Sequence, residues 1–287
     1  MEKLDSNTFD ELLREQDPFQ QSTPQFDLTG VQFISPSGMV QLAAASYALA
    51  HRGDRPAILV DDPSVRTYLA RAGFVSAVED IAEVQPPLAG YLFDHCRGTN
   101  PMLLEVTRVE SGAALPDLLN QIIWVLRHRL KYRRFDAYDV ATAVSEIAQN
   151  TFDHNTSACG FVSMQVYGRR SGRFLEIGIA DSGCGLAKTL CRNPKNGNIS
   201  SDDDAIRKAV LLGTSEHDDP TRGTGLHHLL DITYKHGGSV QIRSGTAKVC
   251  YRMDKKQGWL FRVPTMPGVQ VALTLPAKIP LDGDIIH

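Results

Sequence analysis

The sequence predicts an α/β protein built as two domains, and three observations carry that expectation. The chain has 287 residues, and at ~100–200 residues per domain that length suits two. Between Phe26 and Gly73 strand-like and helix-like stretches alternate twice, the pattern of an α/β unit. From Met102 onward, amphipathic helices and β-rich runs alternate again. The expected division is a polar segment over 1–25, a first domain over 26–100 and a second over 101–287.

Composition narrows the class. Apolar residues are 42% and aromatics 7%, which suits a folded globule and excludes overall disorder. Lys plus Arg is 30 and Asp plus Glu is 33, giving a net charge of −3; this offers no chain-wide attraction for nucleic acid or an anionic membrane. The cysteines are Cys96, Cys159, Cys184, Cys191 and Cys250, with no C-x-x-C pair. Neither a disulfide framework nor a zinc site is indicated, and reduced thiols in a cytosol fit better. Met1–Asp5 has no apolar leader. The longest apolar-rich stretch, Met39–Ala50, contains Gln41, Ser46 and Tyr47 and falls short of the ~20 residues of a membrane span. The expectation is a cytoplasmic protein without membrane insertion.

Taken in order, Thr8–Arg14 reads as a short helix in a polar segment. Phe26–Ile34 alternates like a strand, and Ser35-Pro-Ser-Gly38 breaks it. Met39, Ala43, Tyr47 and Ala50 recur at helical spacing. A strand at Ala57–Val60 precedes a helix that starts at Asp62-Pro63 and ends at Gly73. Tyr91–Asp94 suggests a strand. Met102–Val109 reads as a strand, and Leu118, Ile122, Leu126 and Leu130 mark a helix stripe. That helix also carries Arg127, His128, Arg129, Lys131, Arg133 and Arg134, read as a solvated face before a nucleic-acid patch. A helix at Ala137–Phe152, strands at Gly160–Tyr167 and Phe174–Ala180, helices at Asp203–Leu212 and Leu226–His236, and strands at Ser239–Ser244, Val249–Met253 and Val269–Leu275 complete the chain.

Three motifs bear chemistry. Glu146, Asn150 and His154 are spaced i, i+4, i+8 on one helix face. An Asn oxygen is a hard ligand for Mg²⁺, and a carboxylate one turn earlier can act as general base. A solvated polar stripe is the bland alternative. Asp181-Ser-Gly183-Cys-Gly185 ends a strand; the carboxylate can accept from an exocyclic amine, and glycines let backbone approach a flat ring. An ordinary strand–helix turn fits it too. Gly223-Thr224-Gly225-Leu226 opens a helix, where spaced N–H groups favour an anion; a flexible loop before a helix is the alternative. It has neither a P-loop nor a dinucleotide-fold spelling.

The order of these motifs resembles the GHKL (Bergerat) ATP-binding superfamily over Met102–Pro276. The resemblance implies a mixed sheet with helices on one face, with ATP between the helices and a lid at Leu186–Arg222. It implies Mg²⁺ on Asn150, activation of a nucleophile by Glu146, and His154 beside the nucleotide. It implies adenine recognition by Asp181, room for the ring at Gly183 and Gly185, and phosphate contacts from Gly223, Thr224, Gly225 and Leu226. Members often carry Gly-Thr before the last strand, where this chain has Gly268-Val269-Gln270. The first motif is most similar to anti-sigma-factor serine kinases. Phe26–Gly38 with Pro63–Gly73 resembles a truncated STAS domain, in which Ser37 matches the phosphoacceptor by position; Ser35-Pro36 stands where such domains usually have an Asp. The resemblances imply a protein partner or self-association. Protein phosphorylation, an ATP-gated switch without phosphotransfer and slow ATP hydrolysis all remain compatible with these residues.

Overall fold

The computed structural model describes residues 1–87, 103–153, 159–169, 172–211, 225–252 and 257–278. The expected strand at Tyr91–Asp94 lies outside them, as does Cys96. The described chain is a mixed α/β protein, and among its described residues no helix is long and apolar enough to cross a membrane.

Residues 1–87 carry β1 (Lys3–Leu4), α1 (Thr8–Gln16), β2 (Gln25–Asp27), β3 (Phe33–Ile34), α2 (Pro36–Ala50), β4 (Ala57–Leu59), α3 (Pro63–Arg71), α4 (Phe74–Val78) and β5 (Glu83–Gln85). β2, β4 and β5 form a parallel sheet in the order β2-β4-β5, and β1 pairs in parallel with β3. Parallel neighbours need crossovers, which α2 and α3 supply. Ser35 caps α2 by accepting from the Gly38 N–H at 3.3 Å, and Asp62 caps α3 by accepting from Ser64 and Val65 N–H groups. The single strand expected over Phe26–Ile34 is two short ones, because Gly30 takes a left-handed turn at φ +77°. Gly73 ends the expected helix at φ +72° but starts α4 at once. The polar segment 1–25 is integrated rather than peripheral: Leu4, Phe9, Leu12 and Leu13 are buried in the apolar core with Phe26 and Met39.

The remainder carries β6 (Leu103–Val109), α5 (Leu115–His128), α6 (Arg134–Asp153), β7 (Gly160–Arg169), β8 (Gly172–Asp181), α7 (Gly185–Leu190), α8 (Asp202–Leu211), α9 (Gly225–His236), β9 (Ser239–Arg252) and β10 (Gln257–Pro276). Its sheet has the order β6-β7-β8-β10-β9, and every described ladder is antiparallel. The expected mixed sheet is therefore corrected. Hairpins join β7 to β8 and β9 to β10, while two successive helices between β6 and β7 return the chain at the end where it left. The two late strands expected in β9 are one, since Gly245 at φ +59° keeps its pairing with Met266 across register shifts that also take in Pro264, Pro267 and Gly268.

The helices of this second region share one face of the sheet, as expected, and a helix of the first region covers the other. α5, α6, α8 and α9 bury Leu126, Val144, Ile206 and Leu229 against Val162, Ile177, Val240 and Leu273 on the first face. The second face presents Phe161, Gly178, Ala180 and Met266, and α2 lies across it. The fit is close: a Cβ on Gly178 would sit 2.7 Å from Ser37 Cα.

Candidate functional site

Asp181 is the last residue of β8, and its carboxylate is held by two backbone donors. Oδ1 accepts from the Gly183 N–H at 2.7 Å and Oδ2 from the Val269 N–H at 3.1 Å. Burial pushes the carboxyl up to about 6, against the downward pull of those two N–H groups. Each oxygen has a further lone pair, so the group can still accept from an amine.

Three backbone segments meet around it only because side chains are missing. Gly268 has φ +81°, and a Cβ there would lie 1.9 Å from the Asp181 carbonyl oxygen. Gly185 has φ +79°, and its Cβ would lie 3.0 Å from Ser244 Oγ. Ser244 Oγ in turn accepts from the Leu186 N–H at 2.9 Å. Gly268, Val269 and Ser244 thus belong to this turn, although the first two sit within a long strand and Ser244 at the end of an expected one. The stretch after Gly185, read as loop, begins with α7.

Glu146 and Gly225 bring the first and third motifs together. A Cβ on Gly225 would lie 2.9 Å from Glu146 Cβ and 3.1 Å from its Oε2, so only glycine lets α9 start this close to α6. Leu226 is buried in the first-face core that also holds Ile147. Asn150 lies on α6 one turn beyond Glu146. His154, Gly223 and Thr224 lie outside the described residues.

The second motif lies at the same end of the sheet as the end of α6. Gly160 pairs with Asp181, and the Cys159 N–H donates to Ser182 Oγ at 3.1 Å. Asp153 closes α6, so a short stretch of chain joins the Asn150-bearing turn to the strand beside Asp181. Chemically, this end offers a carboxylate acceptor in a backbone cradle, a second carboxylate on Glu146, an Asn and a glycine-opened helix start.

The other expected features are placed differently. Ser37 is buried and donates its hydroxyl to Glu176 at 2.7 Å. In the basic stretch, Arg129 lies over Trp124 at 5.2 Å and Arg134 over Tyr138 at 5.6 Å, with Arg127, Lys131 and Arg133 exposed. This arrangement suits a solvated helix corner. No protein-family model and no curated protein matches the chain.

Proposed function

We propose that the chain is an Mg-ATP-binding regulatory protein of GHKL type, similar to anti-sigma-factor serine kinases and carrying a STAS-like unit at its N-terminus. One observation carries this reading: Asp181 stands at a strand end with both oxygens anchored by backbone N–H groups and spare lone pairs, in a turn whose close backbone approach depends on glycine at 185 and 268. Such a carboxylate suits an adenine amine. The contact of Gly225 with Glu146 supports the rest, since it sets a helix N-terminus beside the proposed base.

The donor set fits the nucleotide and its metal. Asn150 would hold Mg²⁺ as a hard oxygen ligand, and Gly223, Thr224 and Gly225 would face phosphate. Bound Mg²⁺ supplies charge neutralisation at the transferring phosphoryl group. Glu146 would take the proton of an attacking hydroxyl, from a protein side chain or from water. His154 belongs beside the nucleotide in this reading, and Gly183 gives its N–H to fix Asp181.

A second reading, an ATP-gated switch without phosphotransfer, is favoured by the state of Ser37, which is buried against Glu176 and closed to a kinase. Calorimetric titration with ATP, with and without Mg²⁺, tests the binding claim; lack of affinity in both overturns it. Incubation with γ-labelled ATP separates the outcomes: label on a second protein marks a kinase, label only in free phosphate an ATPase, and binding without either a switch.

A further inference from the structure

We propose that Arg243 and Gln270 are positioning residues for Asp181, and that through them helix α1 and the nucleotide site are coupled. The proposal rests on the ATP reading above and adds a regulatory route to it. The route is a run of buried side chains. Asp10 on α1 accepts from Arg243 Nε at 2.9 Å and from Lys248 Nζ at 2.7 Å. Lys248 Nζ also donates to Ser6 O at 2.5 Å and Asn7 Oδ1 at 3.1 Å. Arg243, only 1% exposed, donates from Nη1 to Gln270 Oε1 at 3.0 Å and from Nη2 to the Pro264 carbonyl. Gln270, equally buried, donates from Nε2 to Pro267 O at 2.8 Å and to Asp181 O at 3.3 Å.

The order of donors and acceptors gives this run a direction. A guanidinium has donors only, so Gln270 must turn its oxygen to Arg243 and its amide hydrogens the other way. There they meet the carbonyls of Pro267 and Asp181, which flank Gly268 and Val269. The Val269 N–H is the donor that holds Asp181 Oδ2. The guanidinium is itself placed by Asp10, whose helix is anchored in the N-terminal core through Phe9, Leu12 and Leu13. Docking of α1 therefore fixes Arg243, Arg243 fixes the Gln270 amide, and the amide fixes the turn that aims the carboxylate. Binding at Asp181 must favour the docked helix by the same factor that docking favours binding.

The test compares ATP and GTP affinities, with Mg²⁺, in the full chain. GTP shares the phosphates but has a carbonyl oxygen where adenine has the 6-amino group that Asp181 would read, so the ATP-to-GTP preference reports aim and not fold. Gln270→Met is expected to lower that preference by about tenfold, the effect of unpairing one polar contact in a recognition site. Gln270→Glu keeps an acceptor for Arg243 but has no amide hydrogens for the two carbonyls, and is expected to lose the preference as well. Leu69→Ala, on α3, loosens the same N-terminal core at a residue outside α1 and the relay; it should lower the melting temperature and keep the preference. ATP should also slow hydrogen exchange of the α1 amides in the wild type and not in Gln270→Met. An unchanged preference in both Gln270 variants, or equal protection of α1 in wild type and Gln270→Met, overturns the relay while ATP binding stands. A wild type that binds no ATP overturns the relay together with the reading beneath it.

Discussion

The Ser37 hydroxyl donates to the Glu176 carboxylate at 2.7 Å, joining the first turn of α2 to the middle of the sheet. The Ser37 N–H donates to the same oxygen at 3.2 Å, and the Ser35 hydroxyl lies 2.9 Å from that of Ser37. A negative group at position 37 would stand against Glu176 in a partly buried contact, where like charges are less screened than in open water. Ser37→Asp is expected to lower unfolding stability by roughly 3 kcal/mol. Glu176→Gln alone should cost about 1 kcal/mol, and the double variant should recover part of the Ser37→Asp loss. Urea unfolding of the four proteins checks this; additive losses would separate the two residues energetically.

Variants on α6 divide binding from turnover. Asn150→Ala is expected to reduce Mg-dependent ATP affinity by at least about tenfold, the loss of one hard ligand. Glu146→Ala should keep affinity and lose turnover, by about 10²-fold or more if it serves as general base. Measurable turnover that is equal in wild type and Glu146→Ala would remove Glu146 as the general base, and ATP binding with no turnover in either protein leaves only the switch reading. Unchanged Mg-dependent affinity in Asn150→Ala would remove that residue from the site.

Gly268 offers a sharper probe of the turn around Asp181. A methyl group there meets a carbonyl oxygen at 1.9 Å as well as an unfavourable φ, so Gly268→Ala must displace the chain at Asp181. The expected loss is more than about 3 kcal/mol of stability, with ATP affinity lost. Gly53→Ala is the matched control, with φ +92° and open space around it; its cost should stay near 1 kcal/mol, the penalty of the conformation alone. Equal melting temperatures for the two variants would remove the proposed steric role.

Much of this architecture was legible because its signals are local. The stripe Leu118, Ile122, Leu126 marked α5, and Gly237 marked the end of α9, where it takes φ +72°. Asp181, Gly183 and Gly185 announced a tight turn after a strand, and the structure places them in one. What sequence patterning hid depends on partners far along the chain. Asp10, Arg243 and Lys248 stand in no motif that the sequence singles out, yet they satisfy one another in the interior across more than 230 residues. Pro264, Pro267 and Gly268 lie between the strands expected at Val249–Met253 and Val269–Leu275, whereas the sheet absorbs them as irregularities in a single strand. Glycine at 178 gave no sign of α2 lying on it, and that contact is why the second face of the sheet is covered.

The carboxyl of Asp181 provides a pH test whose sign is fixed by its surroundings. Burial raises it from the usual 3.8 to about 6, so between these values the folded protein holds a proton that the unfolded chain has released. Unfolding free energy from this group therefore falls as pH rises from about 4 to 6, by up to roughly 3 kcal/mol for a shift of this size. Asp5, Asp27, Asp62 and Asp136 are held below their ordinary value by hydrogen bonds and, at Asp5 and Asp136, by neighbouring lysines. Their contribution runs the other way, so the informative quantity is the difference between wild type and Asp181→Asn at each pH. That difference should move in favour of Asp181→Asn as pH rises from 4 to 7. In ATP binding the ionised form is the acceptor, so the ATP-to-GTP preference should weaken below pH 6, with phosphate ionisation common to both ligands. A stability difference flat from pH 4 to 7 would mean that Asp181 titrates as an ordinary surface carboxylate, and its place as the buried reader of the site would fall with it.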